Sequence, residues 1–254
     1  MDDLAVYTSV GPASHDLAFE AEMMERAATG QCCLLLASWP GPVVVLGYAQ
    51  KPDEVDLEWC RRHSVPVLRR LSGGTGVIHR GDLAVSLALP AGHQWAKGIV
   101  DLYDRFLDVL GPALSESGGA VERLEERPHA VRVRSPICFE DQLADSLVVG
   151  GRKAVGCSQT RRKGAVLIHA AVLLSLDVTA YARVFRVDEK RILAALAPAV
   201  TGVEWGVIAR SVTAEIGRAL GLRTTVSRRP NPRGEFLAPY GLERWSPVAD
   251  DGIP

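Results

Sequence analysis

Two short stretches of this chain concentrate side chains that can do chemistry. The first is Arg69-Arg70-Leu71-Ser72-Gly73-Gly74-Thr75-Gly76-Val77-Ile78-His79. Two arginines end the apolar run Val65-Pro66-Val67-Leu68, and a second apolar piece closes on His79. Glycine lets a backbone adopt positive φ and lets a ligand come close. Successive amides in such a loop can point at one anionic or carbonyl group, and Arg69 and Arg70 are of a type that holds phosphate or carboxylate with forked donors. On these residues alone, a plain glycine-rich hairpin with solvated arginines is the preferred reading. The spacing is neither that of the Walker lysine loop nor that of the dinucleotide fingerprint. The second stretch is Leu147-Val148-Val149-Gly150-Gly151-Arg152-Lys153-Ala154-Val155-Gly156-Cys157-Ser158-Gln159, a strand, a tight turn and a strand, with Lys153 just past the turn. A third apolar run, Gly164 to His169, ends on a histidine. A turn lysine is commonly solvated, and a strand-end histidine is commonly structural, so Lys153, His79 and His169 are candidates rather than assignments.

Taken in order, these blocks resemble the superfamily of lipoate–protein ligases and octanoyltransferases, which also contains the biotin protein ligases. That pattern is an arginine pair, a Ser/Thr-Gly-Gly loop and a histidine, then Gly-Arg-Lys-x-x-Gly-x-x-Gln and Leu-x-His; it spans here about Leu46 to Asp177. The resemblance implies that Arg70, Ser72, Gly73, Gly74, Thr75, Gly76, His79, Gly156 and His169 line the substrate site. It also implies that Lys153 polarises the acyl carbonyl and stabilises the developing oxyanion. Gly47-Tyr48-Ala49-Gln50 would border the pocket. Two departures stand out: Arg80 where the family usually has Asp, and Ala170 and Ala171 where Gly and a hydroxyl residue are usual.

Ile137-Cys138-Phe139 ahead of the Lys153 block is similar to a branch of octanoyltransferases that use a cysteine in a Cys-Phe segment. A thiolate beside a cation has a lowered pKa and is a good nucleophile. The resemblance therefore implies an acyl-Cys138 intermediate between an acyl-carrier-protein thioester and a lysine of a lipoyl domain, whether of the 2-oxoacid dehydrogenases or of the glycine cleavage H protein. Cys157 is the rival thiol. Such a transferase requires no cofactor. The alternative is an ATP- and Mg²⁺-dependent lipoate–protein ligase acting through an adenylate; a further alternative is a non-catalytic acyl- or biotin-binding homologue.

The rest of the chain must position these groups. Its 254 residues, 47% apolar, 23% charged and with net charge −1, suit one large domain and imply no strong field toward nucleic acid or membrane. We expect a single catalytic domain over 1–254, with a core at about 1–185 and a helical extension at about 186–254. No apolar run approaches a membrane span, and the acidic start Met1-Asp2-Asp3 is not a signal n-region; a cytoplasmic location is the expectation. Five cysteines, an odd number without a Cys-x-x-Cys pair, suit reduced thiols rather than a disulfide framework or zinc site.

Helical spacing predicts helices over Ala13–Ala28, capped by Ser14, over Asp53–His63, capped by Asp53, over Ile99–Leu114, Asp177–Phe185, Glu189–Leu196 and Ser211–Leu220. Strands are predicted at Cys32–Ala37 and Val43–Leu46, around the two loops, at Gly81–Pro90 and through Leu147–Val172; Ala130–Val133 reads as extended and Ser135–Phe139 as irregular. The tail from Arg223 reads as a surface wrap. The pattern is α+β, with helices on one mostly antiparallel sheet, and the resembled catalytic domain has such a fold. Both loops should then sit on neighbouring parts of that sheet and face one cleft.

Overall fold

The computed structural model describes residues 3–39, 41–123 and 146–249. The expectations for Ala130–Val133 and for Ser135–Phe139, Cys138 included, lie outside the described residues.

Among the described residues, eight strands form one sheet in the order β11-β1-β2-β6-β10-β9-β8-β7: β1 (Asp3–Ser9), β2 (Cys32–Ala37), β6 (Leu83–Pro90), β7 (Glu122–Arg123), β8 (Ser146–Val149), β9 (Arg152–Arg162), β10 (Ala165–Val172) and β11 (Arg223–Arg228). The pairings of β1 with β2 and β11 are parallel; the others are antiparallel. Both faces of the central strands β2, β6 and β10 are covered, so these strands are buried nearly throughout and mostly apolar rather than alternating. On one face Leu34, Leu36, Val85, Leu87, Ile168 and Val172 pack with helices α3 (Ile99–Glu116) and α6 (Trp205–Leu220). On the other, Cys33, Leu35, Ala84, Ala88, Leu167 and Ala171 pack with α1 (Ala13–Ala28) and a second sheet. That sheet has three strands, β4 (Val67–Arg69), β3 (Val43–Leu46) and β5 (Val77–His79), in the order β4-β3-β5.

The α+β class and the mostly antiparallel main sheet are as expected; the second sheet is not. β2 and β3 read as adjacent strands with a turn between, yet they belong to different sheets. Trp39 anchors the connection: its Nε1 donates to Asp16 Oδ2 at 2.7 Å, and its carbonyl accepts from Gly81 N at 2.6 Å. The prolines of the Trp39-Pro40-Gly41-Pro42 segment cannot donate to a hairpin ladder. The chain therefore leaves one layer and starts the next.

Helix ends shift for local reasons. α1 begins as predicted but without a side-chain cap from Ser14. The stretch predicted as one helix from Asp53 splits into a 3-10 turn, Pro52–Glu54, and α2 (Leu57–Arg62); extended Val55 separates them, and Asp56, not Asp53, accepts from Trp59 N at 2.9 Å. Asp177 caps α4 (Val178–Phe185), followed by α5 (Glu189–Ala195). Gly221 ends α6 at φ +67°, as the sequence implies.

The tail is not a surface wrap. It contributes β11, then α7 (Gly234–Leu237), and its end returns to the small sheet, where Val67 N donates to Val248 O at 3.0 Å. No helix among the described residues is long and apolar enough to cross a membrane.

Candidate active site

The Lys153 block is a two-residue hairpin. Val149 pairs Arg152, and Gly150 and Gly151 both have positive φ, +54° and +73°. That is the turn whose twist matches antiparallel strands, and it requires residues that tolerate positive φ at both positions. It launches β9 with Lys153 already inside: the residue is 2% exposed, so it is not a solvated turn lysine. Its backbone carbonyl accepts from Ala197 N at 3.1 Å, which fixes the strand against the segment after α5.

From there β9 runs to Gly156 and Ser158. Register across the main sheet aligns Ser9, Ala37, Ala84, Ala171, Gly156 and Ser146, one per strand, in a continuous row of small residues. The next row on the same face is Leu35, Ser86, His169 and Ser158. This face of the sheet packs with α1 and the second sheet. Ala170 points to the opposite face, among the α3–α6 layer, so of the two alanine departures only Ala171 belongs to the row.

The glycine loop meets this face of the sheet. Ser72 Oγ and Ser158 Oγ are hydrogen-bonded at 2.7 Å, and Tyr48 N donates to Ser72 O at 2.9 Å. Gly47 has no room for a side chain, since a Cβ there would lie 2.0 Å from the Gly74 carbonyl oxygen. At Gly76 a Cβ would meet Phe185 at 2.7 Å. The loop is therefore seated between β9, the exit of β3 and α4. The two key loops do not lie in one sheet, as expected from sequence; the glycine loop joins strands of the second sheet and meets the lysine strand of the main sheet through Ser72 and Ser158.

The arginine pair has a different job from the one its chemistry suggests. Arg69 Nη1 donates to the carbonyls of Gly47, Tyr48 and Gln50 at 2.7, 3.0 and 2.7 Å, and its Nε donates to Arg244 O at 2.9 Å. Arg70 Nη2 donates to Gly73 O and Thr75 O at 2.6 and 3.0 Å, and Nη1 to Val45 O at 3.3 Å. Both guanidinium groups are buried and directed into main-chain carbonyls that would otherwise be costly to bury. They shape the loop, and Arg70 adds positive charge beside the site.

Behind the loop lies a buried polar cluster. His169 Nδ1 is 2.6 Å from Glu20 Oε1 and 3.0 Å from Ser86 Oγ, and Ser86 Oγ donates to Glu20 Oε1 at 2.6 Å. His169 Nε2 has no hydrogen-bond partner among the described residues. His79 is packed edge-on to Trp39 at 4.7 Å between centroids and lies 6.3 Å from the His169 ring. Among the described residues neither of its nitrogens has a hydrogen-bond partner, and neither does Thr75 Oγ1. Burial, then the charges of His169 and Arg70, hold the His79 pKa well below its ordinary value, so the ring is neutral. Asp82 Oδ2 is 4.0 Å from His79 Nδ1. The carboxyl group missing at position 80 is thus supplied from Asp82, while Arg80 turns outward to pair with Asp177. Burial raises the Asp82 pKa to about 7, opposed by the amides of Leu174 and Ser175 that donate to it. A row of small residues beside buried polar atoms of Thr75, His79 and His169 that have no hydrogen-bond partner among the described residues is suited to lie along an unbranched chain and to hydrogen-bond near its polar end.

Of the residues expected at the site, Ser72 touches Ser158 on the lysine strand, and His79 lies beside His169, which shares its face of the main sheet with Gly156. Glu20, Trp39, Ser86, Asp82 and Ser158 were not singled out from sequence. Glu20 had a signal: it falls at helical spacing between Leu17 and Met24 on the buried stripe of α1, where a carboxylate needs a partner. The described cysteines do not join the site. Burial raises the thiol pKa of Cys32, pushes that of Cys33 up to about 12 and that of Cys60 to about 11. Cys157 is buried in the α3–α6 layer, on the face of β9 away from Ser158 and the glycine loop.

Known proteins share this sequence pattern and fold. Residues 12–205 match the lipoyl protein ligase A/B catalytic domain. The chain is 30% identical over 190 residues to the octanoyltransferase LipM of Geobacillus kaustophilus, covering 71% of this chain and 68% of that one. It is 30% identical over 233 residues to the octanoyltransferase LipM of Symbiobacterium thermophilum, covering 82% and 84%. Among solved structures, its fold matches lipoate-protein ligase A bound with ATP, with TM-score 0.76 and 19% identity over 96% of this chain and 97% of that one. It also matches the bi-partite lipoate protein ligase from Thermoplasma acidophilum, with TM-score 0.75 and 19% identity over 96% and 95%. Sequence match, fold and the glycine loop seated on the lysine strand agree: this chain belongs to the lipoyl protein ligase A/B catalytic domain family.

Proposed function

We propose that this protein is an octanoyltransferase of protein lipoylation, moving an octanoyl group from an acyl-carrier-protein thioester to a lysine of a lipoyl domain. The carrying observation is the row of small residues Ala37, Ala84, Ala171 and Gly156 across the main sheet, with the glycine loop joined to the next row through Ser72 and Ser158. We read that row as the floor of a trough for an unbranched acyl chain, and the relatives with which the chain shares 30% identity are octanoyltransferases.

In this reading Cys138 is the nucleophile and Lys153 holds the acyl carbonyl oxygen. The placement of the other thiols supports the choice: three are held protonated by burial, and Cys157 faces away from the trough. The Cys138 thiolate attacks the thioester carbonyl, and the carrier thiol leaves with a proton. The lysine amine of the lipoyl domain then attacks acyl-Cys138, forming the amide and releasing the cysteine. A thioester exchanged for a thioester is nearly balanced in energy, and the final amide is more stable, so no ATP is consumed.

The test is transfer to an apo lipoyl domain, read by intact mass. The octanoyl-carrier donor should support it without nucleotide. Octanoic acid with ATP and Mg²⁺ should not. Transfer only in the second mixture makes the chain a ligase.

A further inference from the structure

At one end of the main sheet, the turn between β9 and β10 presents Arg161, Arg162 and Lys163 in succession, all exposed. None of the three has a carboxylate partner among the described residues. Some other exposed arginines are paired, among them Arg80 with Asp177, Arg123 with Asp104 and Asp108, Arg218 with Glu215, and Arg233 with Glu25. The turn's cations are also held in place. Arg161 donates through Nη1 and Nη2 to the carbonyls of Ala96 and Gly98 at 2.5 and 2.6 Å. The Arg162 guanidinium lies 4.7 Å over the ring of Tyr48, itself 36% exposed, and reaches Leu71 O at 3.5 Å. Beside them opens a cleft of about 310 Å³, lined by Ala21, Met24, Ala28, Leu71 and Phe236, with Arg162 and Lys163 on its rim and one carboxylate, Glu25, that is paired with Arg233.

We propose that this turn and cleft form the docking surface for the acidic protein that carries the acyl thioester. The inference rests on the transferase reading for the identity of its partner. Three successive cations, two of them held in place and the only nearby cleft carboxylate already paired with Arg233, steer and seat an acidic surface. An arginine stacked on a tyrosine beside an apolar cleft is the composition that concentrates binding energy at interfaces. Pre-ordering of Arg161 and Arg162 lowers the entropy lost on docking. The surface adjoins the site, because Leu71 lines the cleft and precedes Ser72 of the glycine loop. It is still at the rim: from Arg162 to Ser158 along β9 is about 13 Å at the usual strand rise. A carrier's long prosthetic arm crosses that distance and a lysine side chain does not, which favours the donor over the lipoyl domain as occupant.

The experiment compares wild type with Arg162→Glu/Lys163→Glu. Binding of fluorescently labelled acyl carrier protein is read by anisotropy at low and high salt, independently of chemistry. Acylation is followed from octanoyl-acyl carrier protein and from octanoyl-N-acetylcysteamine, a neutral thioester without a protein surface. The variant should bind the carrier at least tenfold more weakly, with a flattened salt dependence, and should lose as much in kcat/KM with the carrier while keeping its rate with the small thioester. Unchanged carrier affinity overturns the proposal. So does an equal loss with the small thioester, which marks a disturbed glycine loop, and so does a loss confined to lipoyl-domain binding. If wild type is acylated by neither donor, the transferase reading fails, while the anisotropy comparison still decides the surface.

Discussion

His79 and Asp82 face each other in the core with opposite titration behaviour. Burial keeps Asp82 protonated up to about pH 7, whereas in the unfolded chain it ionises near its ordinary value of 3.8. The fold binds the extra proton between those values, so this contribution to stability is full at low pH and is lost as pH rises to about 7. His79 is neutral in the fold, whereas the unfolded chain takes up a proton below its ordinary 6.5. Its contribution is present above that value and is lost as pH falls. The two partly cancel. Asp82→Asn, which keeps an acceptor for Leu174 and Ser175, should therefore gain stability steadily from about pH 4 to pH 6.5 in urea melts, and His79→Gln should lose it from about pH 4 to pH 7. Parallel profiles for both variants would contradict these titrations. At the same scale, Lys153 is buried, so truncation to alanine would mix packing with chemistry. Lys153→Met keeps the stem, and loss of one oxyanion donor should lower transfer about 10²- to 10³-fold, with an unchanged melting profile. Individual groups were legible in the sequence where a loop motif marked them. The partners Glu20, Ser86 and Asp82 were not: Glu20 and Ser86 lie on apolar elements and Asp82 in the turn before β6, and only tertiary contact reveals what each one faces.

Between elements, the decisive contact is main chain on main chain. Gly47 leaves β3 directly under the Gly74 carbonyl, where a Cβ would lie 2.0 Å away. Gly47→Ala should displace the glycine loop, lower stability by about 1–3 kcal/mol as overpacking does, and abolish transfer. A normal denaturant midpoint with normal transfer would show that the loop is not seated there. The helices over Ala13–Ala28 and Ile99–Glu116 and the paired strands from Ser146 to Val172 followed from periodicity, since each carries its own burial pattern. The division into two sheets did not. β2 and β3 are equally apolar, and nothing local says that they part at Trp39; the separation depends on the Trp39–Asp16 contact. The arginine pair misled for a related reason. A guanidinium that recognises an anion and one that gathers loop carbonyls have the same sequence.

Across the whole molecule, the tail ties the two sheets together, which its Pro, Gly and Arg content concealed. Arg229, following β11, forms a buried ion pair with Asp16, whose other oxygen holds Trp39. Tyr240 Oη donates to Arg69 O at 3.0 Å. Burial raises the Asp16 pKa, and the Arg229 guanidinium opposes that rise more strongly than the hydrogen bonds from Trp39 and Ser9 do. Arg229→Met leaves that carboxylate without its cation and should cost about 3–5 kcal/mol, read from chemical denaturation; a cost below about 1 kcal/mol, the range of exposed pairs, would mean that the tail is not part of the frame holding Trp39 and His79.

A covalent relay through Cys138 stands or falls on the intact mass of the protein after mixing with octanoyl-acyl carrier protein alone, without ATP or acceptor. Wild type should gain one octanoyl group. The adduct should be removed by hydroxylamine and map to Cys138; it should be absent from Cys138→Ala and retained by Cys157→Ser. No adduct on wild type, together with a Cys138→Ala protein that still modifies lipoyl domains when given ATP and free acid, would contradict the relay.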